Sequence, residues 1–245
     1  MRPVLLRIGS LSIRSYTAML YLGIVLGVYA QLHVASLISI DQTRTLAATM
    51  LLLTAALLGA RLLFVASHWS AYRGDPQRIW RFSEGGASMY GGLLLAIPLS
   101  QPLLRAVGLP FGAFWDTASF TMLIGLPITR VGCLLNGCCC GRPTSSWLGF
   151  DLPNHRGVRQ RRIPVQILDA AWGLVVLTGT AALLGRTPFR GALLLYALGG
   201  YGAGRILLEP LREERDRIGS LSINRALSTV FLTVSVVALA FASWR

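Results

Sequence analysis

TLAATMLLLTAALLGA, Thr45 to Ala60, is sixteen residues without a charge, a proline or a cluster of turn formers. With its flanks it supplies about the 20 residues that a membrane-spanning helix needs. Six further blocks behave the same way: TAMLYLGIVLGVYA (17–30), YGGLLLAIPL (90–99), ASFTMLIGLPI (118–128), VQILDAAWGLVVLTGTAALL (165–184), GALLLYALGGYGAG (191–204) and STVFLTVSVVALAFA (228–242). The spacing predicts seven spans, near 15–36, 45–67, 89–108, 115–133, 165–184, 190–209 and 223–243. The third is expected to be short or broken, because a proline and two adjacent glycines interrupt it. The fold class is therefore an all-α integral membrane protein of about seven transmembrane helices.

Composition points the same way. Of 245 residues, 53% are hydrophobic and 13% charged, against roughly 25% charged in an ordinary soluble domain. The first block is no cleavable signal, since further spans follow it at regular intervals. No linker divides the chain, which reads as one polytopic domain over 1–245. The net charge of +13 comes from 23 arginines and no lysine. In a soluble chain such a charge would suggest nucleic acid; beside a bilayer it suits anionic lipid head groups, and no nucleic-acid partner is expected. Fifteen arginines fall on one predicted face and five on the other, which by the positive-inside rule makes the richer face cytoplasmic.

Charge inside the membrane is costly and raises a functional hypothesis. Tyr201, Arg205 and Glu209 recur every four residues and share one face of the sixth span. Gly200 and Gly204 let a neighbouring helix come close. A plain ion pair near the helix end would account for Arg205 and Glu209, but Arg130 is a second buried arginine, at the end of the fourth span. It precedes RVGCLLNGCCCGRPT (130–144), whose glycines and proline cannot continue a lipid-facing helix. Irregular backbone at membrane depth survives only where it is buried in protein or lines a cavity. Two arginines beside it make a pocket for a phosphate.

All four cysteines lie here, Cys133, Cys138, Cys139 and Cys140. Zinc ligands usually come as two separated pairs, and three adjacent side chains cannot converge on one ion without contorting the backbone. No metal and no cofactor are expected. A disulfide from Cys133 to one of the later three, a reactive thiolate beside Arg130 or Arg142, and simple burial as small apolar groups all stay open. His33, His68 and His155 are assigned no role. Glu84 to Gly92, EGGASMYGG, surrounds Tyr90 with glycines at the mouth of the third span, where backbone could approach a ligand. RIGSLSI occurs twice, at 7–13 and 217–223, each copy leading into a span.

These segments, with IRSYTAMLYLG (13–23), GARLLFVASHWSAYRGDPQRIWRFSEGGASMYGG (59–92), RIPVQILDA (162–170), GYGAGRILLEPLRE (200–213) and LSINRALS (221–228), together resemble the bacterial phosphatidylglycerol–prolipoprotein diacylglyceryl transferases nearly end to end. The resemblance implies transfer of the diacylglyceryl group of phosphatidylglycerol to the lipobox cysteine of a prolipoprotein signal peptide, with release of glycerol phosphate. It implies extracytoplasmic loops around a lipid-binding cavity in the bacterial cytoplasmic (inner) membrane, the reverse of the orientation the arginine count favours. Arg130, Tyr16, Asn136 and Gly141 match phosphatidylglycerol-site positions, and Arg205, Glu209, Tyr90 and Tyr201 match catalytic ones. Tyr90 stands where the family commonly has a histidine, proposed as the base. Cys133 and Cys138 stand where its signature has asparagine and glutamate. Those departures keep two other readings in view: a non-catalytic phosphatidylglycerol-binding relative and, more distantly, a membrane thiol oxidoreductase.

Overall fold

A computed structural model describes residues 4–8, 11–80, 89–153, 157–213, 217–218 and 221–244. Seven long helices fall on the seven predicted spans: α1 Ser15–Leu37, α2 Gln42–Ser67, α4 Met89–Ala106, α5 Phe111–Asn136, α6 Val165–Ala182, α7 Ala192–Leu208 and α8 Ile223–Ser243. A one-turn helix, α3 Trp69–Tyr72, follows α2. Helices dominate because a backbone in lipid must satisfy its own hydrogen bonds. Among the described residues, α1, α2, α5, α6 and α8 are long and apolar enough to cross a membrane. α4 and α7 have 18 and 17 residues, about 27 Å or less at 1.5 Å per residue, just short of a bilayer core.

Two expectations change. α4 is short, as predicted, but runs unbroken through Pro98 and Pro102. α5 does not stop at 133. It carries Pro127 and continues through Cys133 to Asn136, so Arg130, Cys133 and Asn136 are helical and the irregular backbone starts at Gly137.

The chain divides into two compact units, Met1–Val34 with Trp115–Arg245, and Ala35–Phe114. In the first, α7 packs against α6 and α8. α1 meets α5 through small residues: Gly23 lies against Gly125, and Gly27 against the backbone of Thr121. Buried Gln31 ties the pair further, donating to Thr117 Oγ1 at 3.4 Å and accepting from Thr121 Oγ1 at 2.8 Å. Interhelical hydrogen bonds of this kind act where water offers no alternative. Asp116 of α5 is buried and accepts from the amides of Gly191 (2.6 Å) and Leu194 (3.0 Å). It thereby satisfies donors that the start of α7 would leave orphaned.

In the second unit, α2 packs on α4. Gly91 sits over Gly59 and Leu63, and Gly92 over Ala56. The glycines after Tyr90 thus serve close helix packing rather than approach to a ligand, while 84–88 of that segment lie outside the described residues. Arg61 is buried here; its Nε donates to the Ile79 carbonyl at 2.8 Å and its guanidinium lies over the Tyr72 ring at 5.5 Å. His68 ends α2, stacked on Phe64 with Nδ1 3.0 Å from the Phe64 carbonyl, a structural role.

The strands are short. β1 (Val4–Ile8) pairs with β2 (Leu11–Arg14), β3 (Phe150–Pro153) with β4 (Arg159–Arg162), and β5 (Arg217–Ile218) with β6 (Leu221–Ser222), all antiparallel. The repeat explains the first and last. Arg7 opposes Ser12 and Ile8 opposes Leu11; Arg217 opposes Ser222 and Ile218 opposes Leu221. One heptapeptide encodes the same hairpin register twice, leading into α1 and into α8.

A Cβ on Gly91 would collide with the Gly59 carbonyl, whereas Gly179 of α6 has open space around it. Gly91→Leu is therefore expected to cost at least about 1–3 kcal/mol of stability, and Gly179→Leu nothing. Thermal unfolding of the two variants in detergent checks this.

Candidate active site

Five charged side chains of the first unit join in one buried network. Arg205 Nη2 on α7 pairs with Glu209 Oε2 at 2.8 Å, the predicted i,i+4 contact. Glu209 Oε2 also lies 3.8 Å from Arg212 Nε. Arg212 bonds in turn to Asp169 of α6, and Asp169 Oδ2 lies 3.1 Å from Arg130 Nε on α5. Asp169, Arg205, Glu209 and Arg212 are each less than 9% exposed. Among the described residues, three guanidiniums face two carboxylates in this network. Asp169 and Arg212 had not been singled out from the sequence. The partners of Asp169 lie 39 and 43 residues away along the chain (169 − 130 and 212 − 169), so no local period announces it; Arg212 has a local i,i+3 contact with Glu209, but its link to Asp169 is long-range.

The helices place these groups as their small residues allow. Trp172 of α6 lies flat against Gly204 of α7, where any side chain would overlap the indole, and donates Nε1–H to the Gly200 carbonyl at 2.8 Å. Both glycines do what the sequence predicted of them. Beside them Leu126, Asp169, Trp172, Tyr201, Gly204 and Arg205 line a small, partly open recess. Tyr201 thus joins Arg205 and Asp169. Tyr16, on the first turn of α1, is 38% exposed and within electrostatic reach of Arg130 and of the thiols of Cys133, Cys138 and Cys139. Tyr90 falls on the first turn of α4 in the other unit, and its side chain lies outside the described residues.

The loop after α5 is laced between two segments. Arg142 N donates to the Leu211 carbonyl (2.9 Å), Glu213 N to the Cys140 carbonyl (3.1 Å) and Ile163 N to the Arg142 carbonyl (3.1 Å). Gly141 lies so near the Ile163 carbonyl that a Cβ would strike it; only glycine fits. Arg162, fully buried, anchors the far side, with Nη1 2.7 Å from Glu213 Oε2 and 3.4 Å from the Gly141 carbonyl. His155 lies outside the described residues.

The thiols divide into two groups. All four are free. Cys140 donates to Glu213 Oε2 at 3.0 Å; burial, and then that carboxylate, push its pKa up to about 12. The sulfurs of Cys133, Cys138 and Cys139 lie within 4.8 Å of one another. The expectation that thiols here cannot converge took the three adjacent residues together; the cluster instead joins two of them to Cys133, a turn earlier on the helix. The backbone is contorted to do it: Gly137 has φ 76° and Cys139, a non-glycine, φ 57°, a conformation uncommon outside glycine. Cys139 is exposed. Hydrogen bonds from the Cys133 and Cys138 thiols, and then the charges of Arg130 and Arg212, hold it well below the ordinary thiol range. Asn136 is exposed on the last turn of α5 and interacts with Cys138.

Fold and site together define a multi-pass membrane protein with a buried arginine–carboxylate network beside a small recess. More particularly, the chain belongs to the prolipoprotein diacylglyceryl transferase family, whose model matches residues 3–241. A phosphatidylglycerol–prolipoprotein diacylglyceryl transferase of Clostridium botulinum (strain 657 / Type Ba4) is 22% identical over 241 residues, covering 96% of each chain. One of Streptococcus suis (strain 05ZYH33) is 26% identical over 242 residues, covering 97% of this chain and 91% of its own.

Two outcomes are expected. Asp169→Asn strands two guanidiniums and lowers stability by about 3–5 kcal/mol, as breaking a buried pair does; adding Arg212→Met restores part of it, read as a double-mutant cycle. In reduced, chelator-treated protein, mass spectrometry finds Cys139 alkylated first and Cys140 last. Because its pKa is lowered, the Cys139 thiolate persists as pH falls, so its labelling continues at about pH 6, where an ordinary thiol has slowed by more than about 100-fold.

Proposed function

We propose that this protein is a membrane enzyme that transfers the diacylglyceryl group of phosphatidylglycerol to the lipobox cysteine thiol of a prolipoprotein signal peptide, releasing glycerol phosphate. The observation that carries this is the arginine excess in the network among the described residues, three guanidiniums against two carboxylates, beside a recess lined by Arg205 and Tyr201. A phosphodiester bears one negative charge and complements it. With water excluded, that attraction is stronger than at a surface.

The leaving phosphate gains a second negative charge as its ester bond breaks. Arg130 and Arg205, already held by Asp169 and Glu209, meet that charge without reorganising, which is where fixed cations lower a barrier most. Tyr16 and Tyr201 orient the headgroup, and Asn136 and Gly141 shape the loop that covers it. Tyr90 takes the position the resemblance gives to the base; a phenol hydroxyl is a weaker general base than the imidazole commonly found there. The chain acts as a single domain in the bacterial cytoplasmic (inner) membrane. Its loop 137–144 and N-terminal hairpin face out of the cytoplasm, where preprotein thiols arrive. Several arginines on that face then serve the lipid rather than the topology.

The test uses purified protein in detergent with phosphatidylglycerol and a lipobox peptide, following glycerol phosphate. Release should need both lipid and peptide thiol. Arg130→Ala and Arg205→Ala should each cut it by about 10²–10³-fold or more, and Lys at either position should recover only part, because a planar fork is lost. Full release in both alanine variants contradicts the proposal. Lipid binding without any release in the unaltered protein favours a non-catalytic relative.

A further inference from the structure

We propose that Cys133, Cys138 and Cys139 form a three-thiolate site for a single zinc-class cation, and that its open fourth position takes the thiol of the acceptor cysteine. The inference rests on the transferase reading for the second half only. The site itself stands on geometry.

Three sulfurs already lie within 4.8 Å of one another. Zinc–sulfur bonds of about 2.3 Å in a tetrahedron put sulfurs ~3.8 Å apart, so closure needs a contraction of no more than ~1 Å. The cup is prepared by fixed elements. Cys133 projects from α5, and its carbonyl accepts from Cys138 N at 3.1 Å. Gln166 Nε2 pins the Cys138 carbonyl at 2.8 Å. The left-handed backbone at Cys139 costs free energy, and such strain persists where surroundings enforce it, often at functional sites. Here it coincides with the placement of the third sulfur, while Cys140 turns to Glu213.

The donor chemistry favours the same occupant. Soft sulfur donors select zinc or copper(I) over hard cations. A catalytic zinc keeps three protein ligands and an open position. Accessibility supplies that opening, since Cys133 is buried, Cys138 half-buried and Cys139 exposed.

The consequence is a nucleophile made without a strong protein base. A thiol that coordinates the ion is deprotonated outright, and its proton passes to water. The bound sulfur then attacks the terminal glycerol carbon that carries the phosphate ester. A C–S bond forms and the C–O bond breaks, with its electron pair leaving on the glycerol phosphate held by Arg130 and Arg205. No oxidant or reductant is involved. The thioether product is neutral, a poorer ligand than the thiolate, and vacates the ion. This supplies what Tyr90 does not.

Cobalt(II) makes the site visible. The full-length protein, reduced, stripped with chelator and titrated with cobalt(II) in detergent, should show a sulfur-to-cobalt charge-transfer band and tetrahedral d–d bands, saturating at one ion per chain and displaced by zinc(II). Cys133→Ser, Cys138→Ser and Cys139→Ser should each weaken binding by more than the about 10–100-fold that loss of an outer partner costs; Cys140→Ser should not. A lipobox peptide should shift the d–d bands, and its serine analogue should leave them unchanged. Absence of the cobalt–thiolate band, or its survival in the triple serine variant, overturns the site. A band that ignores the peptide thiol overturns the fourth-ligand assignment. Glycerol phosphate release at full rate from the triple serine variant overturns the inference and leaves the transferase reading intact. A cobalt site of the expected ligands in a protein with no release does the reverse.

Discussion

Burying charge where no water can reach it forces every guanidinium to find a carboxylate, and Asp169 is where that requirement converges. It sits on α6 between Arg130 of α5 and Arg212, the residue after the 3₁₀ turn that follows α7. Glu209 continues the chain to Arg205. Among the described residues two carboxylates face three arginines, and the proposed function draws on that excess. Replacing the network with apolar residues would cost little in stability by general experience with buried ion pairs.

The surrounding fold serves this arrangement. Trp172 against Gly204 and Gly200 sets the spacing between α6 and α7, and hence the distance from Asp169 to the Arg205–Glu209 pair. Gly141 lets the loop after α5 press against the Ile163 carbonyl, while Arg142, Cys140 and Glu213 stitch it to the segment after α7. Arg162 seals the back of that loop through Glu213 and Gly141. The same loop also gathers three thiols.

The seven helices were legible because lipid leaves the backbone no other option, so hydropathy alone located them. Arg205 and Glu209 were legible from their four-residue spacing, and Gly200 and Gly204 from the same face. What the sequence could not announce was contact between distant segments. Asp169 reads as one acid in an apolar run, and Arg212 as one of several loop arginines. The end of α5 was misplaced because glycine and cysteine around 132–133 look like a break, yet the helix packs there against Met19 and Tyr16 of α1 and continues. The cysteines were visible in the sequence, but their convergence was not, because it depends on a positive φ at Cys139, a residue type that rarely adopts one. RIGSLSI was visible as a repeat, but its meaning, one hairpin register used twice, needed the strand pairing.

The central claim is that one net positive charge on the arginine–carboxylate network selects an anionic headgroup. Native mass spectrometry of the purified protein, offered phosphatidylglycerol and phosphatidylethanolamine with identical acyl chains, tests it most directly. Both lipids carry the phosphodiester, but the ammonium of phosphatidylethanolamine cancels its charge and is repelled by the excess arginine, so phosphatidylglycerol should be retained at least about tenfold more, a difference of about 1.4 kcal/mol. Equal retention of the two lipids would contradict the account.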